Sequence, residues 1–143
     1  MQPLLEQVLE QNPKNVKLVY KFLPLVRIHK FAMPAALASL AAGKQGKFWQ
    51  MHDALFANSH QLSEAKIDEL AKQIGLDVTK FKQDLNDPQS VQLIQRDMQE
   101  AQQNGVRGTP TIFINGRLLR NRSLQGIQEM IDKDLRRIKE GKK

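Results

Sequence analysis

The sequence predicts an α/β unit with a helical insertion, and three observations carry that reading. Val16 to Phe22 is a mostly apolar run with the composition of a covered β-strand. From Phe31 to about residue 104 the apolar residues recur at helical spacing instead. The pattern then returns to strand: Gly108-Thr109-Pro110-Thr111-Ile112-Phe113-Ile114-Asn115-Gly116 places a proline at the mouth of a short apolar strand that ends in an Asn-Gly turn, and a last helix follows.

The elements follow in order. Residues 3–11 form an amphipathic helix with Leu4, Leu5, Val8 and Leu9 on one face, stopped by Asn12-Pro13. Pro24 ends the strand at Val16–Phe22. Pro34 sits in a first helical turn, and the alanine-rich run to Ala42 is closed by Gly43. Lys47 to Ala57 carries Phe48, Trp49, His52, Leu55 and Phe56 at helical spacing, and its aromatic residues read as core. Ser63, Asp77 and Asp87-Pro88 each cap a further helix, with Gly75 and Asn104-Gly105 as stops. Thr111–Ile114 and Arg117–Arg120 flank Asn115-Gly116 as a hairpin. Ser123 caps a final helix with Leu124, Ile127, Ile131, Leu135 and Ile138 along one stripe. No repeat or low-complexity linker interrupts this order, so residues 1–143 read as one domain with the insertion at about 28–104.

Composition narrows the function classes. With 41% hydrophobic and 26% charged residues the chain has the balance of a folded globular protein. No apolar run is long enough to span a bilayer, and the start shows no basic region, apolar stretch and cleavage site of an export signal. The net charge of +7 is uneven: residues 1–50 carry +5, residues 51–103 carry −4, and residues 117–143 carry another +5. The basic tail around Lys133–Lys139 has interspersed acids and no interleaved aromatics, so it reads as a solvated helix face, with neither nucleic acid nor membrane as a partner. Zero cysteine removes disulfides, thiolate catalysis and cysteine metal sites from this polypeptide.

The ordered set of local sequences resembles the DsbA-like branch of the thioredoxin superfamily. The residues that carry it are Phe22-Leu23-Pro24-Leu25 with His29, the alanine-rich helix, Gln45-Gly46-Lys47-Phe48-Trp49-Gln50-Met51-His52-Asp53-Ala54-Leu55-Phe56, Ile74-Gly75-Leu76-Asp77 with Phe81, and Gly105-Val106-Arg107-Gly108-Thr109-Pro110-Thr111. The match runs from about residue 3 to residue 135. It implies a thioredoxin-like fold with a helical insertion. It also implies a cis-proline loop at Arg107, Gly108, Thr109 and Pro110 that pairs with an extended or unfolded polypeptide, with Gly108 giving the backbone room. The family's first strand and Cys-x-x-Cys would precede Met1, so the first β-strand is expected to be missing. The reading preferred at this level is an N-terminally shortened relative; a strand from a partner chain or a rearranged sheet are the alternatives, and a homo-oligomer or strand swap is the expected consequence. The resemblance further implies a bacterial periplasm or cell-envelope location.

No other chemistry competes. His29, His52 and His60 lack any metal-ligand spacing, and His52 lies on the Phe48–Leu55–Phe56 side of its helix, as a hydrogen-bonded packing histidine would. There is no Ser/His/Asp arrangement, phosphate loop or carboxylate pair, so no catalytic residue, metal or cofactor is assigned. The sequence therefore reads as a disulfide-oxidoreductase-type scaffold that is inactive in thiol–disulfide exchange as it stands. A non-catalytic peptide- or partner-binding module is the alternative.

Overall fold

Residues 1–141 are described by a computed structural model, in which four helices start at caps that the sequence supplies. The elements are α1 (Gln2–Gln11), α2 (Ala32–Gly43), α3 (Phe48–Ala57), α4 (Glu64–Gln73), α5 (Val78–Asp84), α6 (Pro88–Gln103), β1 (Phe113–Ile114), β2 (Arg117–Leu118) and α7 (Leu124–Lys139). Ser63, Asp77, Asp87 and Ser123 accept the otherwise orphaned N–H groups of Lys66, Lys80, Gln89 and Gly126 at 2.9–3.1 Å. Gly75 and Gly105 turn the chain out of α4 and α6 with φ of +81° and +70°, a conformation that costs glycine little.

The chain divides into two compact units. One joins Met1–Tyr20 to the chain from Gly108 onward; the other is Lys21–Arg107, which contains the residues 28–104 read as the insertion.

The helical unit is organised around α2. Ala38, Ala41 and Ala42 are fully buried, and their small side chains let Met51 and Leu55 of α3, Ile67, Leu70 and Ala71 of α4, and Phe81 of α5 close onto one core. A second cluster joins Phe22, Ala36 and Ile94, with Phe22 and Phe48 edge to face at 6.1 Å. Lys44, the C-cap of α2, pairs with Asp87, the N-cap of α6.

Two expectations fail in this unit or at its border. Val16–Phe22 forms no strand. The N–H of Phe22 donates to the buried Asp97 of α6 at 3.0 Å, and Lys21 reaches Glu100 at 2.7 Å, so this end of the run is held by helix side chains rather than by a ladder. Further back, Val19 is 63% exposed, which a covered strand would not allow. On α3, Met51, His52 and Leu55 face inward while Trp49 and Phe56 are 40% and 61% exposed. The aromatic residues of α3 are thus not all core: Phe48, Trp49, His52 and Phe56 form a chain of ring contacts that leads from the interior to the surface.

In the other unit, β1 and β2 pair antiparallel, Phe113 opposite Leu118 and Ile114 opposite Arg117. One face of this hairpin is core: Leu119, Ile112 and Ile114 pack with Val8 of α1 and with Ile127 and Ile131 of α7. Asn12, which ends α1, exchanges two side-chain hydrogen bonds with Gln128 of α7, at 2.7 and 3.1 Å. Asn115 and Gly116 take φ of +48° and +79° at the turn, as the Asn-Gly pair predicts. Asp134 of α7 accepts from both sides of that turn, from Asn115 Nδ2 at 2.9 Å and from the Arg117 guanidinium. Arg117, and then Asn115, hold the Asp134 carboxyl below the usual aspartate range.

Two predictions test these two cores. Phe81→Ala leaves a cavity where α2, α4 and α5 meet and should destabilise the chain by about 3–5 kcal/mol, read from urea unfolding. Because the folded-state pKa of Asp134 lies below its unfolded value, its contribution is present above the unfolded pKa of about 4 and is lost as pH falls through the lower folded value. Thermal unfolding of Asp134→Asn should therefore show a shallower loss of Tm below about pH 4 than the parent chain.

Candidate functional site

The loop after Val106 is short and polar, and side chains from within it and from beyond the hairpin hold its carbonyls. The Thr111 hydroxyl donates to the Gly108 carbonyl at 2.7 Å, and Arg122 Nη1 donates to the Pro110 carbonyl at 3.2 Å. The Thr109–Pro110 peptide bond between these anchors is cis. Thr109 and Pro110 are exposed, and the Thr109 N–H and carbonyl make no hydrogen bond among the described residues. This leaves one backbone donor and one acceptor open to solvent on a segment that is otherwise tied down. Such groups can pair with an extended chain, because main-chain pairing needs no particular side-chain sequence.

Of the residues singled out in the sequence, Gly108, Thr109 and Pro110 lie together on this loop, in the unit that carries the hairpin. Arg107 is the last residue of the helical unit and is exposed. Gly108 is not there to relieve crowding: a side chain built at that position meets nothing within 4 Å, and its φ is not in the left-handed region. Its carbonyl, held by Thr111, is the part that contributes.

Two supports were not legible in the sequence reading. Arg122 is one; it lies twelve residues from the carbonyl it holds. Gly126 is the other. It sits in the first turn of α7, where a Cβ would come within 2.5 Å of the Asn121 carbonyl oxygen and side chain. The Asn121 Oδ1 in turn accepts the Ser123 N–H at 3.1 Å, so Gly126 lets the Asn121–Ser123 corner lie against the helix and brings Arg122 to the loop. The available signal was a glycine inside a helix, where it costs roughly 1 kcal/mol relative to alanine and calls for a packing reason.

The histidines form no second site. His52 is buried, with Nδ1 3.1 Å from Asp53 Oδ1 and the rings of Phe48, Trp49 and Phe56 around it. His60 is exposed, 3.3 Å from the Gln61 amide, and His29 is exposed in the turn after Pro24. Among the described residues no three His, Asp or Glu side chains gather as a metal ion would require, and no helix is long and apolar enough to cross a membrane.

Comparison with known proteins gives these features a context. A solved structure of a thioredoxin-like oxidoreductase from Silicibacter pomeroyi DSS-3 superposes with a TM-score of 0.81 at 27% identity, covering 94% of this chain and 77% of that one. Two curated proteins match at higher identity over a shorter stretch. The Na(+)/H(+) antiporter NhaA 1 of Salinispora arenicola is 41% identical over 103 residues, which is 72% of this chain and 16% of that protein. The Na(+)/H(+) antiporter NhaA of Herminiimonas arsenicoxydans is 39% identical over 92 residues, 64% of this chain and 15% of that protein. The chain thus spans about a sixth of the length of these curated relatives. The fold is thioredoxin-like, with mostly helical content and a two-stranded sheet. The DSBA-like thioredoxin domain matches residues 1–132, and the chain belongs to that family.

Proposed function

We propose that this domain holds extended polypeptide at the Thr109–Pro110 loop and performs no thiol–disulfide exchange by itself. The observation that carries the reading is the open N–H and carbonyl of Thr109, presented on a loop fixed by Thr111 and Arg122 in a chain of the DSBA-like family. Disulfide exchange begins with attack by a thiolate on a disulfide sulfur, and this sequence has no cysteine to form one. The remaining half of the task, holding a peptide backbone in register, needs only the donor and acceptor of Thr109 and a support that keeps them still. The name of the antiporter relatives describes proteins of which this chain matches about a sixth, and the role assigned here is that of the DSBA-like domain, not ion transport. The hairpin is the whole of the described sheet, so the outer edge of β1 has no neighbouring strand among the described residues. We assign that edge to strand addition as well, by the same extended polypeptide or by a second copy of the chain.

The purified chain should fail to accelerate reduction of insulin by dithiothreitol; acceleration above the uncatalysed rate would refute the non-catalytic part. A labelled unfolded peptide should bind saturably by fluorescence anisotropy, with Kd in the micromolar to millimolar range. Thr109→Pro deletes the backbone donor and should weaken binding by about five-fold or more, while Thr109→Ala keeps the donor and should change it little. Equal binding by both variants would remove Thr109 from the site. Gly126→Ala alters nothing on the loop itself, but displaces Asn121 and with it Arg122. It should weaken the same peptide several-fold while thermal unfolding remains cooperative.

A further inference from the structure

We propose that this site prefers polypeptide carrying acidic side chains, and that Arg120 and Arg122 set the preference. The proposal names the substrate class of the loop described above and rests on the reading of that loop as a peptide-holding site.

The argument begins with register. Continuing the pairing of Phe113 with Leu118 and of Ile114 with Arg117 back along the hairpin sets Ile112 opposite Leu119, as their 2.9 Å backbone hydrogen bond shows. No ladder forms beyond that bond among the described residues, but counting on in the same register brings Thr111 to the level of Arg120 and Thr109 to that of Arg122, and the Arg122 side chain does take the Pro110 carbonyl there. Exposure alternates with the same period of two over the hairpin itself, where Ile112, Ile114 and Leu119 belong to the core and Thr111, Phe113, Leu118 and Arg120 are exposed. At its approach Thr109, Pro110, Asn121 and Arg122 are all exposed. One face of the hairpin and its approach therefore presents the open backbone of Thr109, two arginines, and an apolar pair in which Phe113 and Leu118 remain 41% and 51% exposed.

The charge on this face is of one sign. Residues 108–128 hold three arginines and no aspartate or glutamate. Arg117 is neutralised by Asp134, but Arg120 and Arg122 form no ion pair among the described residues. Glu129 lines a groove with Arg117, Arg120 and Lys133 and accepts from the Gln125 amide at 2.9 Å. Arg122 spends one N–H on the Pro110 carbonyl and keeps its remaining guanidinium donors, in the planar fork that suits a carboxylate. On this proposal a peptide paired with Thr109 comes within reach of both long guanidinium side chains. Its own side chains alternate, so every second residue meets this face.

The test uses the full chain and three labelled peptides of equal length that differ only in having Asp, Ser or Lys at alternate positions. Fluorescence anisotropy is read at about 20 mM and about 300 mM salt, since exposed ion pairs weaken as the Debye length shrinks. The Asp peptide should bind about ten-fold tighter than the Ser peptide at low salt, roughly three-fold for each arginine, as suits exposed charge pairs. Arg120→Gln with Arg122→Gln should bring the Asp peptide to the affinity of the Ser peptide, and Arg122→Lys should retain most of the preference. Arg120→Glu should turn the order toward the Lys peptide, which a purely structural role of Arg120 would not do. Lys72→Gln, a charge on α4 in the other unit, should change nothing. Equal affinities for the Asp and Ser peptides, or an Asp preference that survives the double arginine substitution, would overturn the charge proposal and leave peptide holding intact. If no peptide of any charge saturates, peptide holding itself fails and the preference falls with it.

Discussion

Four strand residues joined by a two-residue turn make a marginal hairpin in water, so the hairpin of this protein has to be held from outside. The Asp134 carboxylate does this. It takes the Asn115 amide on one oxygen and the Arg117 guanidinium on the other, and so pins both sides of the turn to α7. The apolar face then seals the arrangement, with Ile112, Ile114 and Leu119 against Ile127 and Ile131. Once the hairpin is fixed, its last backbone bond runs from the Leu119 N–H to the Ile112 carbonyl, and beyond it the Arg122 side chain takes the Pro110 carbonyl. Asn115 therefore has two duties. It adopts the positive φ the turn needs and it supplies the amide that α7 grips, so Gly-Gly at the same place would satisfy the turn alone.

The helical unit solves a different problem. Its helices are short, and three of them are ten residues or fewer beyond the caps, so propensity alone would not hold them. Closeness of approach does. The alanines of α2 remove side-chain bulk from the centre, and the volume is filled from the surrounding helices by Met51, Leu55, Leu70 and Phe81. The same core explains why α3 is only half committed. Met51, His52 and Leu55 satisfy the contact with α2, and nothing in that geometry requires Trp49 or Phe56 to be inward.

Much of this was legible because it is local. A cap needs an oxygen beside the first turn, and Ser63, Asp77, Asp87 and Ser123 announce one within three residues of the N–H they serve. The Asn-Gly turn is equally local. The lack of a strand at Val16–Phe22 was not legible, since an apolar run states only that burial is available, not which acceptor will take the backbone N–H. Here Asp97, seventy-five residues away, accepts from Phe22 and competes with any ladder at that point. Arg122 escaped notice for a related reason: a charged residue near a hairpin looks like solvent-facing decoration until the register sets it against a carbonyl. Gly108 shows the opposite error. The sequence offered a steric explanation for a glycine that stands in open space.

The loop and the missing thiol have separate physical requirements, and this separation explains how a chain of this family can be coherent without cysteine. Thiolate chemistry depends on a lowered pKa at one sulfur. Backbone pairing depends on an unsatisfied N–H and carbonyl held in place, and here that support comes from Thr111, Arg122, the Asn121 corner and Gly126, none of which refers to a sulfur atom. The support even imposes its own character on the site. Because the carbonyl of Pro110 is held by an arginine rather than by a neutral donor, the group that fixes the loop also places a positive charge beside it. Rigidity and positive charge thus come from one side chain at this position, and a neutral replacement that kept the hydrogen bond would preserve the first while removing the second.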